Sequence, residues 1–348
     1  MDQNSIINIV DSKSFIFSTF QIKNNSLTIK RNSLVSLSFV ENLSINKLKL
    51  FLCPHLVLDL HSNNIQELHL ERCNLKTVQG LRLEELKFIN LQYNRIHSVP
   101  EFNFCRLVKL DLRNNKIQDL RNLNTCQDLE ELFICNNTYY DFQGLPALST
   151  LTKLRVLFMS KNNIKDIKFI QKLVNLESLN LNDNRIETIH YLKKMSKLSK
   201  LTLYNNKITD ITVFRILPSL KTVNLNMNRI VYITPLKYLT NITNLNFYGN
   251  CILNNKVLNN SKSFQFDAGI YSQPTDEEIS LSKKLENIDK THIVLKQAQN
   301  QHQKLKTKIV NRIQVVTSKI SENQNNTAIM LEKLVLLFQI NNLEEHYQ

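Results

Sequence analysis

The stretch LESLNLNDNRIETI, Leu176 to Ile189, sets apolar residues at fixed positions and lets those between them vary. The same frame returns as Leu198, Leu201, Leu203, Asn206 and Ile208, then as Leu220, Val223, Leu225, Asn228 and Ile230, then as Ile242, Leu245, Phe247, Asn250 and Ile252. Its asparagines, at 184, 206, 228 and 250, stand 22 residues apart. A fixed period of that size marks a solenoid, because a single coil cannot bury its apolar edge alone and buries it against the next.

In full, the frame is an apolar residue at every third position, then an alternating pair, then asparagine: Ile186, Ile189, Leu192, Met195, Leu198, Leu201, Leu203 and Asn206. The alternation predicts a short strand with Leu201 and Leu203 on one face and Thr202 on the other. Triplet spacing predicts a helical or 3₁₀ return on the opposite side of the coil, since a step of three keeps one stripe inward. Asparagine suits the bend because its amide both donates and accepts. Buried there, it is expected to bond the backbone of its own coil and of the next, satisfying groups that an apolar side chain would leave unpaired.

The frame also runs backwards, through Leu154, Leu157, Met159 and Asn162, through Leu129, Leu132, Ile134 and Asn137, through Leu107, Leu110, Leu112 and Asn115, and through Leu86, Ile89, Leu91 and Asn94. Asn137 and Asn162 are 25 residues apart, with Phe142, Leu145, Leu148, Leu151 and Leu154 between them, so one extra triplet is expected on the return side. Before residue 76 the pattern tightens. Pairs at Leu37/Phe39, Leu48/Leu50, Leu58/Leu60 and Leu68/Leu70 stand 10 or 11 residues apart, with Asn42, Cys53, Asn63 and Cys73 in the bend slot. Coils that short leave no room for a return helix and predict a tight, strand-rich cap.

The formal charge is +14, from 44 Lys and Arg against 30 Asp and Glu. From residue 276 onward the two signs nearly balance, so the excess sits on the repeats and would draw an acidic partner surface. Cys53, Cys73, Cys105, Cys126, Cys135 and Cys251 form no CxxC pair and no Cys/His metal spacing, and they read as free buried thiols of a reducing compartment. The opening MDQNSIINIVDSKSFIF has no basic segment ahead of a long apolar run, and no stretch of about 20 apolar residues occurs. The expectation is a cytoplasmic protein, with nuclear or cytoskeletal placement open, neither secreted nor in a membrane. With four glycines, no phosphate-cradling loop and no nucleophile elbow, the chain offers no catalytic residue, no cofactor site and no metal site. His61 and His69 fall near one another if the N-terminal coils are short, but two histidines without a third ligand make a poor metal site.

These residues resemble the leucine-rich repeat superfamily, whose consensus is LxxLxLxxNxI. The 22-residue spacing is similar to the short class found in a regulatory subunit of protein phosphatase 1 and in an axonemal dynein light chain. The resemblance covers about residues 86 to 252 closely and about 20 to 85 in degenerate form. It implies an α/β solenoid: a curved arc with a concave parallel β-sheet that grips other proteins and has no catalytic centre of its own. This chain adds the short N-terminal coils and a long C-terminal α-helix of coiled-coil type. The organisation expected is short-coil repeats and cap over 1–75, regular repeats over 76–252, a cap or linker over 253–274 and a helical tail over 275–348.

The tail opens with a capping box, Thr275 and Glu278, and carries neither Pro nor Gly beyond it. Steps of four and three run through Leu281, Leu285, Ile288, Leu295, Ile309, Ile313, Val316, Ile320, Leu334 and Leu337, with His292, Gln299, His302 and Lys306 on the same stripe. That register predicts a coiled-coil seam with a polar middle, pairing the chain with itself or with another helix. The alternative is a helix that folds back on the same chain near SENQNNTA.

On each strand the residues between the buried leucines face the concave surface. The central column is Asn90, Asp111, Phe133, Phe158, Asn180, Thr202, Asn224 and Asn246; flanking positions include Phe88, Tyr93, Lys109, Arg113, Val156, Lys200, Tyr204, Met227 and Tyr248. Phe133 and Phe158 fall on adjacent coils with Val156 beside them, and aromatic anchors dominate protein interfaces. The plainer reading is that the two rings stack and only stabilise the sheet. Lys109, Arg113, Arg155, Lys161, Lys200 and Lys221 also face inward, but Asp111, Glu131, Glu177 and Asp183 lie among them. Mixed signs suit a protein partner better than a phosphate backbone, which asks for an unbroken basic track. The function expected is a non-catalytic adaptor. Two alternatives stay open: a regulatory subunit of a phosphatase or of a cytoskeletal or ciliary complex, and a ribonucleoprotein component using the basic arc.

Overall fold

The computed structural model describes residues 6–10, 17–30 and 36–252, apart from 59, 63, 80, 103–105 and 138–140, and helical residues 280, 283–284, 287, 303–315, 317 and 335–337. The chain divides into two compact units, Met1–Ile279 and Ser280–Gln348.

In the first unit thirteen strands form one sheet in sequence order. β1 (Ile6–Val10), β2 (Phe17–Lys23) and β3 (Ser26–Lys30) pair antiparallel. Asn24 and Asn25 join β2 to β3 with φ of 49° and 56°, the two positive values that a tight two-residue hairpin demands and that asparagine tolerates. From β3 onward every pairing is parallel: β4 (Lys47–Phe51), β5 (Glu67–Glu71), β6 (Phe88–Asn90), β7 (Lys109–Asp111), β8 (Glu131–Phe133), β9 (Val156–Phe158), β10 (Ser178–Asn180), β11 (Lys200–Thr202), β12 (Thr222–Asn224) and β13 (Asn244–Asn246).

Each strand is short because only the LxL of the frame alternates. Leu179, Leu201 and Val223 stack in register, and they and the leucines two residues on are fully buried. A fully buried leucine stabilises by about 1.5–3 kcal/mol, so the stack supplies the coil-to-coil adhesion. The triplet-spaced segments close seven of the ten coils between β3 and β13 with single 3₁₀ turns, η1 (Ser38–Asn42), η2 (Arg121–Thr125), η3 (Leu145–Thr150), η4 (Lys168–Lys172), η5 (His190–Lys194), η6 (Thr212–Ile216) and η7 (Thr234–Tyr238), and the coils from β4 to β7 show none among the described residues. Ile189, Leu192, Met195 and Leu198 turn their stripe inward and are buried, as a step of three requires.

The N-terminal coils are not short. Leu27, Leu48, Leu68 and Ile89 occupy one register, so these coils have 21, 20 and 21 residues, close to the period downstream. Leu37 and Phe39 belong to the return, at η1, and Leu60 lies there too, its carbonyl accepting from the Arg82 N–H at 3.0 Å. Alternation misled because an extended return segment also buries every second residue, as Leu56, Leu58 and Leu60 do.

The 25-residue coil departs from the others in two places. Its 3₁₀ turn has six residues where the others have five, and it starts eight residues after its asparagine, at Leu145, where η4, η5, η6 and η7 start six after theirs. Gly144 leads into it with φ of 74°, and a Cβ there would stand 2.6 Å from the Arg121 Cγ and 2.8 Å from the Arg121 backbone nitrogen.

In the second unit the helical residues 303–315 carry one covered stripe. Ile309 is 9% exposed within the single chain, and Lys306 and Ile313 are half-buried, whereas Leu305 is 47% exposed. Val335 and Leu337 are exposed. The expected cap over 253–274 and seam positions Leu281, Leu285, Ile288, Leu295, Val316, Ile320 and Leu334 lie outside the described residues. Among the described residues no helix is long and apolar enough to cross a membrane.

Candidate functional site

The bends are held by eight buried asparagines, Asn94, Asn115, Asn137, Asn162, Asn184, Asn206, Asn228 and Asn250. Asn206 shows the wiring: its Nδ2 donates to the Leu203 carbonyl of its own coil at 3.1 Å and to the Leu181 carbonyl at 3.0 Å, while its Oδ1 accepts from the Ile186 N–H at 3.0 Å. The neighbouring coil is thus the preceding one, and not the next as the sequence suggested. Parallel strands slant their hydrogen bonds in one direction, which sets that choice.

Two coils carry thiols in the same slot. Cys53 and Cys73 are buried and in no disulfide, and the side-chain hydrogen bond with Cys53, together with burial, pushes the Cys73 thiol far above its ordinary value. A thiol held protonated is inert.

The residue before each bend takes a left-handed conformation, including Arg72, Tyr93, Asn114, Asn136, Lys161, Asp183, Asn205, Met227 and Gly249. Asn, Asp and Gly are the residues that reach this region at least cost. Tyr93 and Met227 are therefore one slot beyond Arg113, Tyr204 and Tyr248, and the exposed Tyr93 ring lies 4.3 Å beneath the Arg72 guanidinium.

Register places the expected central column in one line, from Asn90 through Asp111, Phe133, Phe158, Asn180, Thr202 and Asn224 to Asn246. Its first two members are not surface. Asn90 is buried and Asp111 is 2% exposed, because Arg113 folds over Asp111 with Nη2 to Oδ2 at 2.6 Å and Gln92 donates to the same carboxylate at 2.8 Å. Next to them Phe133 and Phe158 meet edge to face, centroids 5.2 Å apart at 84°, both half-buried, with Val156 half-buried in the adjoining column. The Lys109 ammonium sits 5.2 Å from the Phe88 ring and 5.3 Å from that of Phe133, and it pairs with Glu131 at 2.8 Å. Arg113 covers Phe133 at 5.3 Å. On β5, His69 packs edge-on against Phe88 at 4.9 Å and lies 3.6 Å from Glu67, and its burial lowers its pKa. His61 is on the return side, paired in a bridge with Arg82, so the two histidines do not converge.

Beyond β9 the chemistry changes. Between the buried positions, β10 to β13 and the residues just after them present Ser178, Asn180, Asn182, Lys200, Thr202, Tyr204, Thr222, Asn224, Asn226, Asn244, Asn246 and Tyr248. The carboxylates at their edge are Glu177, one residue before β10, and Asp183, one residue beyond Asn182. On the return side Leu145, Pro146 and Phe169 line a cleft of about 420 Å³ between η3 and η4. Among the described residues no group of three or more His, Cys, Asp or Glu is placed to hold a metal.

The family model for leucine-rich repeats, in its two-copy form, matches residues 152–194, 174–217 and 196–238, the coils just described. These coils are leucine-rich repeats. No curated protein matches it. Among solved leucine-rich repeat structures, internalin C2 of Listeria monocytogenes is 27% identical over 53% of this chain and 81% of its own, with a TM-score of 0.48. The TLR13–ssRNA13 complex gives 23% identity over 63% of this chain and 35% of that one, with a TM-score of 0.54. The functional domain of InlJ from Listeria monocytogenes, which includes a cysteine ladder, gives 19% identity over 66% and 50%, with a TM-score of 0.53. The last two share the leucine-rich repeat fold with this chain.

Proposed function

We propose that this protein is a non-catalytic adaptor whose concave sheet face grips a protein partner. The observation that carries the reading is the Phe133 and Phe158 pair: two half-exposed rings on adjacent strands, beside Val156, at the centre of the sheet. Large apolar groups at neighbouring solvent-facing sites are uncommon on a surface that stays wet, and aromatic anchors ringed by polar groups are the usual energetic centre of an interface. Here the ring of polar groups is Lys109, Arg113 and Glu131, with Phe88 and Tyr93 toward one end and Lys200, Tyr204, Met227 and Tyr248 toward the other. Cations and anions are interleaved, Lys109 with Glu131 and Arg155 with Glu177, which complements a protein surface better than a uniform polyanion. The reading needs no cofactor and no reacting group.

The test is affinity capture from native cell lysate with the intact protein and with Phe133→Ser/Phe158→Ser, bound proteins identified by mass spectrometry and folding followed by thermal unfolding. A partner lost with the double variant at unchanged folding supports the reading. An unchanged set of partners makes the rings scaffold and sinks it.

A further inference from the structure

Four asparagines on the face beyond β9 have their side-chain oxygens engaged by backbone N–H groups. The Asn180 Oδ1 takes the Asn182 N–H at 3.0 Å, and the Asn224 Oδ1 takes the Asn226 N–H at 3.0 Å. The Asn182 Oδ1 takes the Tyr204 N–H of the next coil at 2.9 Å, and the Asn226 Oδ1 takes the Tyr248 N–H at 2.8 Å. A backbone N–H meets only an acceptor, so each amide is locked with its oxygen toward the sheet. Each Nδ2 is left as the end of the amide turned away from that N–H, and none has a partner among the described residues. Between these coils stands Lys200, exposed and outside every ion pair among the described residues. The nearest carboxylates lie outside this patch and are engaged, Glu177 by Arg155 and Asp183 by the Asn205 amide.

Unpaired amide donors beside two exposed lysines, Lys200 and Lys221, are complementary to a ligand of acceptors. We infer that β10 to β13 bind an acidic polypeptide segment of the partner, its Asp or Glu carboxylates accepting from Asn180, Asn182, Asn224 and Asn226 and pairing with Lys200. The inference rests on the reading of the concave face as the binding element and names the chemistry of the half that lacks aromatic anchors. The patch spans four strands about 4.8 Å apart, a length that about four to five extended residues cover. Two lysines among neutral amides fit spaced carboxylates rather than a continuous phosphate chain, which needs a basic residue at nearly every step. The donors are pre-positioned by the backbone, so binding orders little that is not already ordered.

Exchange of asparagine for aspartate isolates the effect. Aspartate keeps an oxygen for the backbone N–H and replaces the outward NH₂ by a second oxygen, at nearly the same size. Fluorescein-labelled octaglutamate, octaglutamine and octauridylate would be titrated by anisotropy onto the full chain, at low and physiological salt. The variants are Asn180→Asp/Asn224→Asp, Lys200→Gln and, as a control of equal charge on exposed positions elsewhere, Thr152→Glu/Ser196→Asp. Octaglutamate binding that falls at least about tenfold in the aspartate pair and less than about threefold in the control, with unfolding unchanged, supports the inference. Lys200→Gln is expected to weaken it roughly three- to tenfold. Equal loss in the control variant means diffuse attraction to the +14 chain and overturns the inference. So does octauridylate binding that exceeds octaglutamate binding and is lost in the aspartate pair, which assigns the patch to nucleic acid. Absence of octaglutamate binding while capture still depends on Phe133 and Phe158 also overturns it, and leaves the reading of the face intact.

Discussion

The two halves of the concave face share one backbone and differ in chemistry. From β5 to β9 the variable positions hold rings and ion pairs, with Phe88, Lys109, Phe133 and Glu131 locked together and Asp111 buried under Arg113. From β10 to β13 they hold amides, hydroxyls and the lysines Lys200 and Lys221. The buried aliphatic stack runs beneath both, and bend asparagines serve every coil from β6 onward. The residues that hold the coil together and those that vary on its concave face are thus different, and either half of the face can change its chemistry without touching the core.

Substitutions at the join of the halves should have the largest effect. Asn162 is fully buried between β9 and β10; its Oδ1 accepts from Asn137 and its Nδ2 donates to the Ile134 carbonyl at 2.7 Å. Asn162→Leu leaves both unpaired, and denaturant unfolding is expected to lose about 3–5 kcal/mol and to split into two transitions. A loss under about 1 kcal/mol would break the claim that the bend ladder couples the halves. Gly144→Ala places a Cβ against Arg121 at positive φ and should cost about 2–4 kcal/mol by the same measurement.

Recognition comes next. Phe133→Ser/Phe158→Ser is expected to weaken partner capture roughly thirtyfold or more while unfolding shifts by about 1–2 kcal/mol. Acidification should separate the halves more gently. His69, held below its ordinary 6.5 by burial, charges more easily when unfolded, so stability is complete above about that pH and declines as pH falls toward the folded value. Lys49 and Lys47 oppose its protonation and Glu67 favours it. Glu67, lowered chiefly by its hydrogen bond with Lys47, adds a second loss as pH falls below 4.5. His69→Gln should flatten the upper part of the curve, and no change there would show that burial of His69 carries no linkage. The smallest effect is expected of Glu131→Gln, a partly exposed pair with Lys109, at under about 1 kcal/mol.

Much of this was legible in the residues. The LxLxxN frame placed eight of the strands, β6 to β13, and all eight bend asparagines, since a period-two strand and a period-three return leave different marks. The column from Phe133 to Asn246 followed from it. What misled was Leu58 and Leu60, whose alternation belongs to an extended return, and Asp111, whose burial depends on Arg113 folding over it. The left-handed slot had a signal, the run of Asn, Asp and Gly before each bend, but Tyr93 and Met227 hid it. The chain beyond residue 252 carried a clear heptad step, of which the structure describes one covered stripe at Lys306, Ile309 and Ile313.

By itself the sequence determined the solenoid, because burial of an apolar edge depends only on which residues recur at which interval. Tertiary structure alone decided which coil each asparagine bonds and which end of each amide faces out. Those choices depend on backbone N–H groups of a neighbouring coil about 22 residues away, whose direction exists only once the strands lie parallel. The orientation of the amides on the face from β10 to β13 is therefore a property of the assembled sheet.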